Sequence, residues 1–257
     1  ADGDTTELTA LVKAADEAEA DYSAVTWDAY QKALAAAQAV LDAETPTSQS
    51  LIDRTADNLE AAREALVNVT RAKEALAAIR QQEDQYTPNS WAQLEEWITE
   101  NEALLENAVS SKEVTDLVMG LAFQEGQLVK KADKEALSSL YTQYTETAPL
   151  TEDGYDQESW AAYEAALEKA KALLDDENAL QTDVDAAVTE LTTARTDLKA
   201  DITELQMLYD SYAAEYTPDK ESEYLPDAWM TMQQALTEAK ALLDQETAGT
   251  DKATPAE

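Results

Sequence analysis

The chain carries one aromatic pair four times: Tyr22 and Trp27 in YSAVTW, Tyr86 and Trp91 in YTPNSW, Tyr155 and Trp160 in YDQESW, Tyr224 and Trp229 in YLPDAW. Successive tryptophans of these pairs lie 64, 69 and 69 residues apart. Self-similarity at a steady period marks an array of like modules rather than one large domain. The period divides the chain into segments 1–69, 70–132, 133–200 and 201–257. Each is short enough to be marginal alone, so the joins between segments matter as much as the segments.

Within each segment the apolar residues follow helical spacing. Trp160, Tyr163, Leu167, Ala170 and Leu174 form one stripe, and the same stripe recurs as Trp27, Tyr30, Leu34, Ala37, Leu41, as Trp91, Leu94, Ile98, Asn101, Leu105, and as Trp229, Met232, Leu236, Ala239, Leu243. A shorter stripe precedes each pair: Leu8 and Leu11, Leu76 and Ile79, Leu137 and Leu140, Leu205 and Leu208. A third follows in the first three segments, around Ile52 and Leu59, Val114 and Leu121, Val184 and Leu191, whereas segment 201–257 has none. No sustained alternation points to strands, and Ala, Leu, Glu, Lys and Gln favour helix. The expected fold is all-α: tandem antiparallel three-helix bundles, the last one lacking its third helix.

This frame gives the aromatic pair a role. With Thr87 as N-cap and Pro88 at the first helical position, Tyr86 and Trp91 stand where a hydrophobic staple fixes how the chain enters its second helix. Ser23 and Asp156 take the cap in YSAVTW and YDQESW. Leu225 occupies that place in YLPDAW, and an alternative start, YTPD at 216–219, predicts a rearranged beginning there. Neither proline nor a turn signal interrupts the run from each third helix into the next first helix, so shared helices and an elongated, semi-rigid, monomeric rod are expected.

Composition removes most chemistries. With 54 Asp+Glu against 18 Lys+Arg the formal charge is −36, which repels nucleic acid and anionic membrane surfaces. Cys and His are absent, which excludes disulfides, thiolate or imidazole metal sites, and Ser–His–Asp or Cys–His catalysis. The five glycines fall in no phosphate-cradling spacing, so no nucleotide cofactor is expected. The acids are interspersed with Ala, Leu and Lys as on solvated helix faces, not set in pairs across a cleft as a glycosidase requires. The acidic loops DGD at 2–4 and EDGYD at 152–156 lack the closing bidentate Glu of a strong calcium motif. No catalytic, cofactor or metal residue is therefore assigned. There is no apolar run long enough to span a membrane and no basic-then-apolar leader pattern in these residues; beginning at Ala1 and stopping at TPAE, the chain is expected to be a piece of a longer protein whose targeting signals lie elsewhere.

The tract from Tyr22-Ser23 through Trp27 to Tyr30, the second helix closing on VLD at 40–42 or LLD at 173–175, and the third helix VDAAVTELTTARTDL at 184–198 together resemble the FIVAR repeat, "found in various architectures". Segments 1–69 and 133–200 match it well, 70–132 is divergent, and 201–257 is partial. The resemblance implies a non-catalytic three-helix module of large bacterial secreted or cell-surface proteins, set beside carbohydrate-active enzymes or adhesin repeats as spacer or binding element. Its expected partners are flanking modules of the same chain and, in a binding role, a host or cell-wall glycan or a protein.

Segment 70–132 departs from its sisters at three places. Trp97 stands where they have Ala33, Ala166 and Ala235, Phe123 where they have Ala61 and Thr193, and Met119 where they have Asp57 and Thr189; Gly120 lies in the same helix. Two readings are open. Trp97 packs on Phe123 with Gly120 giving clearance, or Trp97, Met119 and Phe123 form an exposed patch for a sugar ring or a partner helix.

Overall fold

The computed structural model describes residues 3–248. They fall into two compact units, one up to Lys130 and one from Lys131 onward. Among the described residues all regular elements are helical, and pairing of the β type is confined to isolated bridges.

In the first unit α1 (Thr6–Lys13), α2 (Ala24–Leu41) and α3 (Gln49–Glu64) pack against one another around Leu8, Tyr30, Ala37, Ile52, Ala56 and Leu59. The amide of Gln49 ties the starts of α1 and α3 together, its Oε1 accepting from Asp4 N at 2.7 Å and its Nε2 donating to Asp4 O at 3.3 Å. At the far end Arg63 Nη2 donates to Ala14 O at 3.0 Å. Thus α1 and α3 run parallel and α2 runs back between them. A second bundle follows in the same unit: α4 (Thr70–Arg80), α5 (Pro88–Asn101), the short α6 (Ala103–Asn107) and α7 (Ser111–Glu125), around Leu76, Trp91, Leu94, Ile98, Leu117 and Leu121. The break between α5 and α6 falls beside Asn101, whose Nδ2 donates back to Trp97 O at 2.7 Å.

The second unit contains α8 (Glu135–Thr142), which runs into a π turn at Gln143–Thr147, then α9 (Gln157–Asp175) and α10 (Gln181–Thr196). Their core is Leu137, Trp160, Tyr163, Ala170, Val184, Ala187 and Leu191. Gln181 repeats the role of Gln49, its amide spanning the backbone of Asp133 at 2.7 and 3.2 Å. The chain closes with α11 (Thr203–Glu215) packed on α12 (Pro226–Ala248). The YTPD tract at 216–219 opens a 3-10 turn, Pro218–Glu223, and not the second helix, which starts at Pro226. The expectation that no third helix follows falls on residues 249–257, outside the described ones.

The continuous helices expected between bundles do not form. α3 stops at Glu64 and α4 begins at Thr70; α7 stops at Glu125 and α8 begins at Glu135; α10 stops at Thr196 and α11 begins at Thr203. Tertiary partners outweigh local propensity in the first join. Val67 and Val69 turn into the core of the second bundle, and their backbone groups bond to the loop ahead of α2 instead of to a helical neighbour four residues back. Each new helix is then restarted by an Asx contact: Asp4, Asn68, Asp133 and Asp201 accept through Oδ1 from the N–H two residues on, at 2.9 to 3.0 Å. The shared-helix basis for a rod falls with these breaks.

Candidate functional site

Each tyrosine of the recurring pairs stacks on its tryptophan. Ring centroids are 6.1 Å apart for Tyr22–Trp27, 6.3 Å for Tyr86–Trp91, 5.7 Å for Tyr155–Trp160 and 5.8 Å for Tyr224–Trp229. Trp91, Trp160 and Trp229 are buried and Trp27 is half-buried. In the fourth pair the stack persists although Leu225, 77% exposed, supplies no cap, because Pro226 still starts the helix and Trp229 N reaches Leu225 O at 2.9 Å. The tryptophans of three pairs are buried, and each stack spans the start of a second helix, the geometry of a hydrophobic staple.

The same loops hold the outgoing chain. Tyr22, Tyr86 and Tyr155 form antiparallel bridges with Asn68, Lys130 and Ala200. The adjacent cap residues Ser23, Thr87 and Asp156 donate their N–H to Val67 O, Val129 O and Lys199 O at 2.9, 2.8 and 2.8 Å. Val69 N and Asp201 N complete the clamp by donating to Asp21 O and Gly154 O at 2.8 and 2.9 Å; Gly154, at φ 84°, takes a backbone conformation that a side chain would strain. Between the first and second bundles the clamp is extended by a buried relay. Val67 N donates to Thr26 Oγ1 at 3.2 Å, Thr26 and Ser23 share a hydroxyl contact at 2.6 Å, and Ser23 Oγ donates to Ala108 O at 2.7 Å. Since a serine has one hydroxyl proton, and Ala108 takes it, Thr26 is the donor between the two hydroxyls.

Charged side chains add a brace inside two bundles. In the first, Glu17 receives the Tyr30 hydroxyl at 2.6 Å and Arg63 Nε. Burial pushes the Glu17 carboxyl up, but Tyr30 and Arg63 outweigh it and hold the group below its ordinary value. Burial, followed by the contact with Glu17, pushes Tyr30 up to about 12. In the third bundle Arg195 lies 4.1 Å over the Tyr144 ring and donates to Tyr163 Oη at 3.2 Å and Ala148 O at 2.8 Å. The positional match of Arg63 with Arg195 and of Tyr30 with Tyr163 was present in the sequence as a repeated Arg behind the third-helix stripe. These contacts orient structure, and no described group of three or more acids is gathered to hold a metal ion. No helix among the described residues is long and apolar enough to cross a membrane.

The three divergent residues of segment 70–132 separate. Trp97 is half-buried against the second core, and its six-membered ring lies over Gly120, where an added Cβ would stand 2.7 Å from Cζ2. Met119 and Phe123 remain 59% and 66% exposed on α7, one turn apart. The clearance role of Gly120 is therefore found without a buried Phe123. Beside Trp97 opens a cleft of about 340 Å³, lined also by Asn101, Leu104, Asn107, Glu113, Asp116 and Leu117.

A succession of small helical bundles, three of them with a stapled second helix and a clamped exit, defines the class: an array of like helical modules. A profile of the family described as "FIVAR domain" matches residues 4–67, 133–199 and 202–257, and the chain belongs to that family. Residues 68–132 are not matched, although they carry the same staple and clamp. The chain is 30% identical over 246 residues to "Polysaccharide lyase 8 family protein HylA" of Enterococcus faecalis (strain ATCC 700802 / V583), an alignment that takes in 90% of this chain and 18% of that protein. The chain thus spans under a fifth of that relative's length. No solved structure matches the chain.

Proposed function

We propose that this chain is a non-catalytic spacer of a larger bacterial secreted or cell-surface protein, made of four FIVAR repeats with 70–132 as a diverged second copy and 201–257 as a partial fourth. The observation that carries the reading is the clamp between the first and second bundles: Val67 and Val69 are bonded into the loop that starts α2, and Ser23 reaches Ala108 of the next bundle, so the step between these two bundles is a fixed joint. A fixed joint transmits position, which is what a module between catalytic or adhesive parts requires. Membership of the family, and the short match inside a protein named as a polysaccharide lyase, support placement next to carbohydrate-active modules of the same parent chain. The chain acts as a monomer in this role.

The absence of native cysteine allows a direct test. Spin labels on Glu44→Cys and Glu106→Cys, both exposed and in successive bundles, should give one narrow distance distribution. Ser23→Ala, which cuts the relay to Ala108, should broaden it. A broad distribution in the otherwise native chain, as for a flexible linker, would overturn the spacer reading. A second reading, adhesion through repeat 2, is favoured by one observation, the exposure of Met119 and Phe123 on an acidic surface.

A further inference from the structure

We propose that the Trp97 cleft of the second bundle binds an arginine side chain presented by a partner protein segment, a role that extends the adhesion reading of this repeat and does not depend on the spacer reading. The cleft is lined by an indole and two leucines together with the amides of Asn101 and Asn107 and the carboxylates of Glu113 and Asp116. Asn101 Nδ2 and Asn107 Nδ2 are engaged with the carbonyls of Trp97 and Ala103 at 2.7 and 2.9 Å, which leaves their oxygens for a visitor. Glu113 uses Oε2 to accept from Val109 N at 2.8 Å, with its second oxygen remaining. Asp116 meets Lys112 across one helical turn at 2.5 Å, with side chains 50% and 81% exposed; such an exposed pair is weak and readily exchanged.

Two carboxylates in an otherwise largely apolar, indole-bearing lining suit an organic cation better than a neutral sugar, which presents donors and acceptors in alternation. Among cations a guanidinium fits best, because it stacks flat on an aromatic face while its fork of N–H groups pairs with carboxylates. The volume of about 340 Å³ lies at the small end of the range for ligand pockets. Trp97 is also held on purpose: Gly120 costs α7 roughly 1 kcal/mol relative to alanine, and it is what lets the ring lie on the helix. The sister positions Ala33, Ala166 and Ala235 carry no ring, so the site belongs to this repeat alone, in the stretch that the family profile does not match.

The test uses the whole chain and blocked triarginine, trilysine and a neutral chitotetraose, followed through the indole N–H resonance of Trp97 as assigned with Trp97→Phe. Triarginine should shift that resonance and bind more tightly than trilysine. Glu113→Gln with Asp116→Asn should weaken it by about tenfold, the worth of one charge-assisted contact. Glu164→Gln with Glu168→Gln, an equal neutralisation of exposed acids on α9, should leave it unchanged. The amide replacements keep the shape and do not enter the core, so folding is preserved. Equal weakening by the two double variants would reduce the effect to diffuse attraction by the −36 charge and overturn the site. So would equal binding of trilysine, absence of binding, or a chitotetraose shift indifferent to Glu113→Gln and Asp116→Asn.

Discussion

Trp160 is 8% exposed and packs between Tyr155 at 5.7 Å and Tyr163 at 5.5 Å. Trp160→Ala should cost about 3–5 kcal/mol in urea unfolding, as truncation of a core aromatic does. Its Nε1 is buried without a hydrogen-bond partner, so Trp160→Phe gives up ring area but also an unpaired donor, and should cost well under the alanine change. Glu17 sets a pH dependence. Its folded value lies below the ordinary 4.5, so its stabilisation is present in full above that value and is lost as pH falls through the lowered folded one. Glu17→Gln should therefore lower the melting temperature at neutral pH, and the gap to the native chain should close as the solution is acidified. Tyr30 moves the opposite way: its raised value means that stability carried by the protonated phenol is lost only as pH climbs from about 10 through about 12.

Helix boundaries depend on which partners a backbone group finds. Asp133→Ala removes the Oδ1 that accepts from Glu135 N and should cost about 1 kcal/mol, as loss of a helix-start acceptor does; Asn68→Asp, which keeps the acceptor for Thr70 N, should be nearly neutral. Thermal unfolding of the two variants checks both. The helices themselves were legible, since the stripes through Trp160 and Leu191 lie on one face each and the staples fix where second helices begin. The joins were not. Continuity was read from the lack of proline or a Gly–Pro turn signal between Ser48 and Glu83, yet the break there is imposed by Val67 and Val69 entering the next core and by the bridge to Tyr22. Asn68, Asp133 and Asp201, each two residues ahead of Thr or Glu, were the local sign of a restart. At the cleft, the replacement of three alanines by Trp97 beside Gly120 was visible, whereas Glu113 and Asp116 looked like any solvated acids until α7 placed them in the lining of the same cleft.

The molecule distributes its core unevenly. Leu8 and Leu137 are fully buried in α1 and α8, but α11 contains no buried residue, with Leu208 and Tyr212 47% and 40% exposed. Their counterparts in the third bundle, Leu140 and Tyr144, are packed on a core that α10 completes with Val184, Ala187 and Leu191. Apolar burial is the main source of helix stability in short modules, so α11 and α12 should exchange their amide hydrogens faster than α8 and α9, a difference that native-state exchange resolves by segment. Asp244 occupies the place in α12 that Asp175 holds at the end of α9. Splicing a copy of residues 176–200 after Asp244 therefore places a third-helix sequence in register with α12. The splice should slow exchange throughout α11, bury Leu208 and Tyr212, and raise the unfolding midpoint of this segment while leaving the first unit unchanged. Unaltered exchange in α11 after the splice would mean that this face is not a third-helix seat and that the register linking α12 to α9 is wrong.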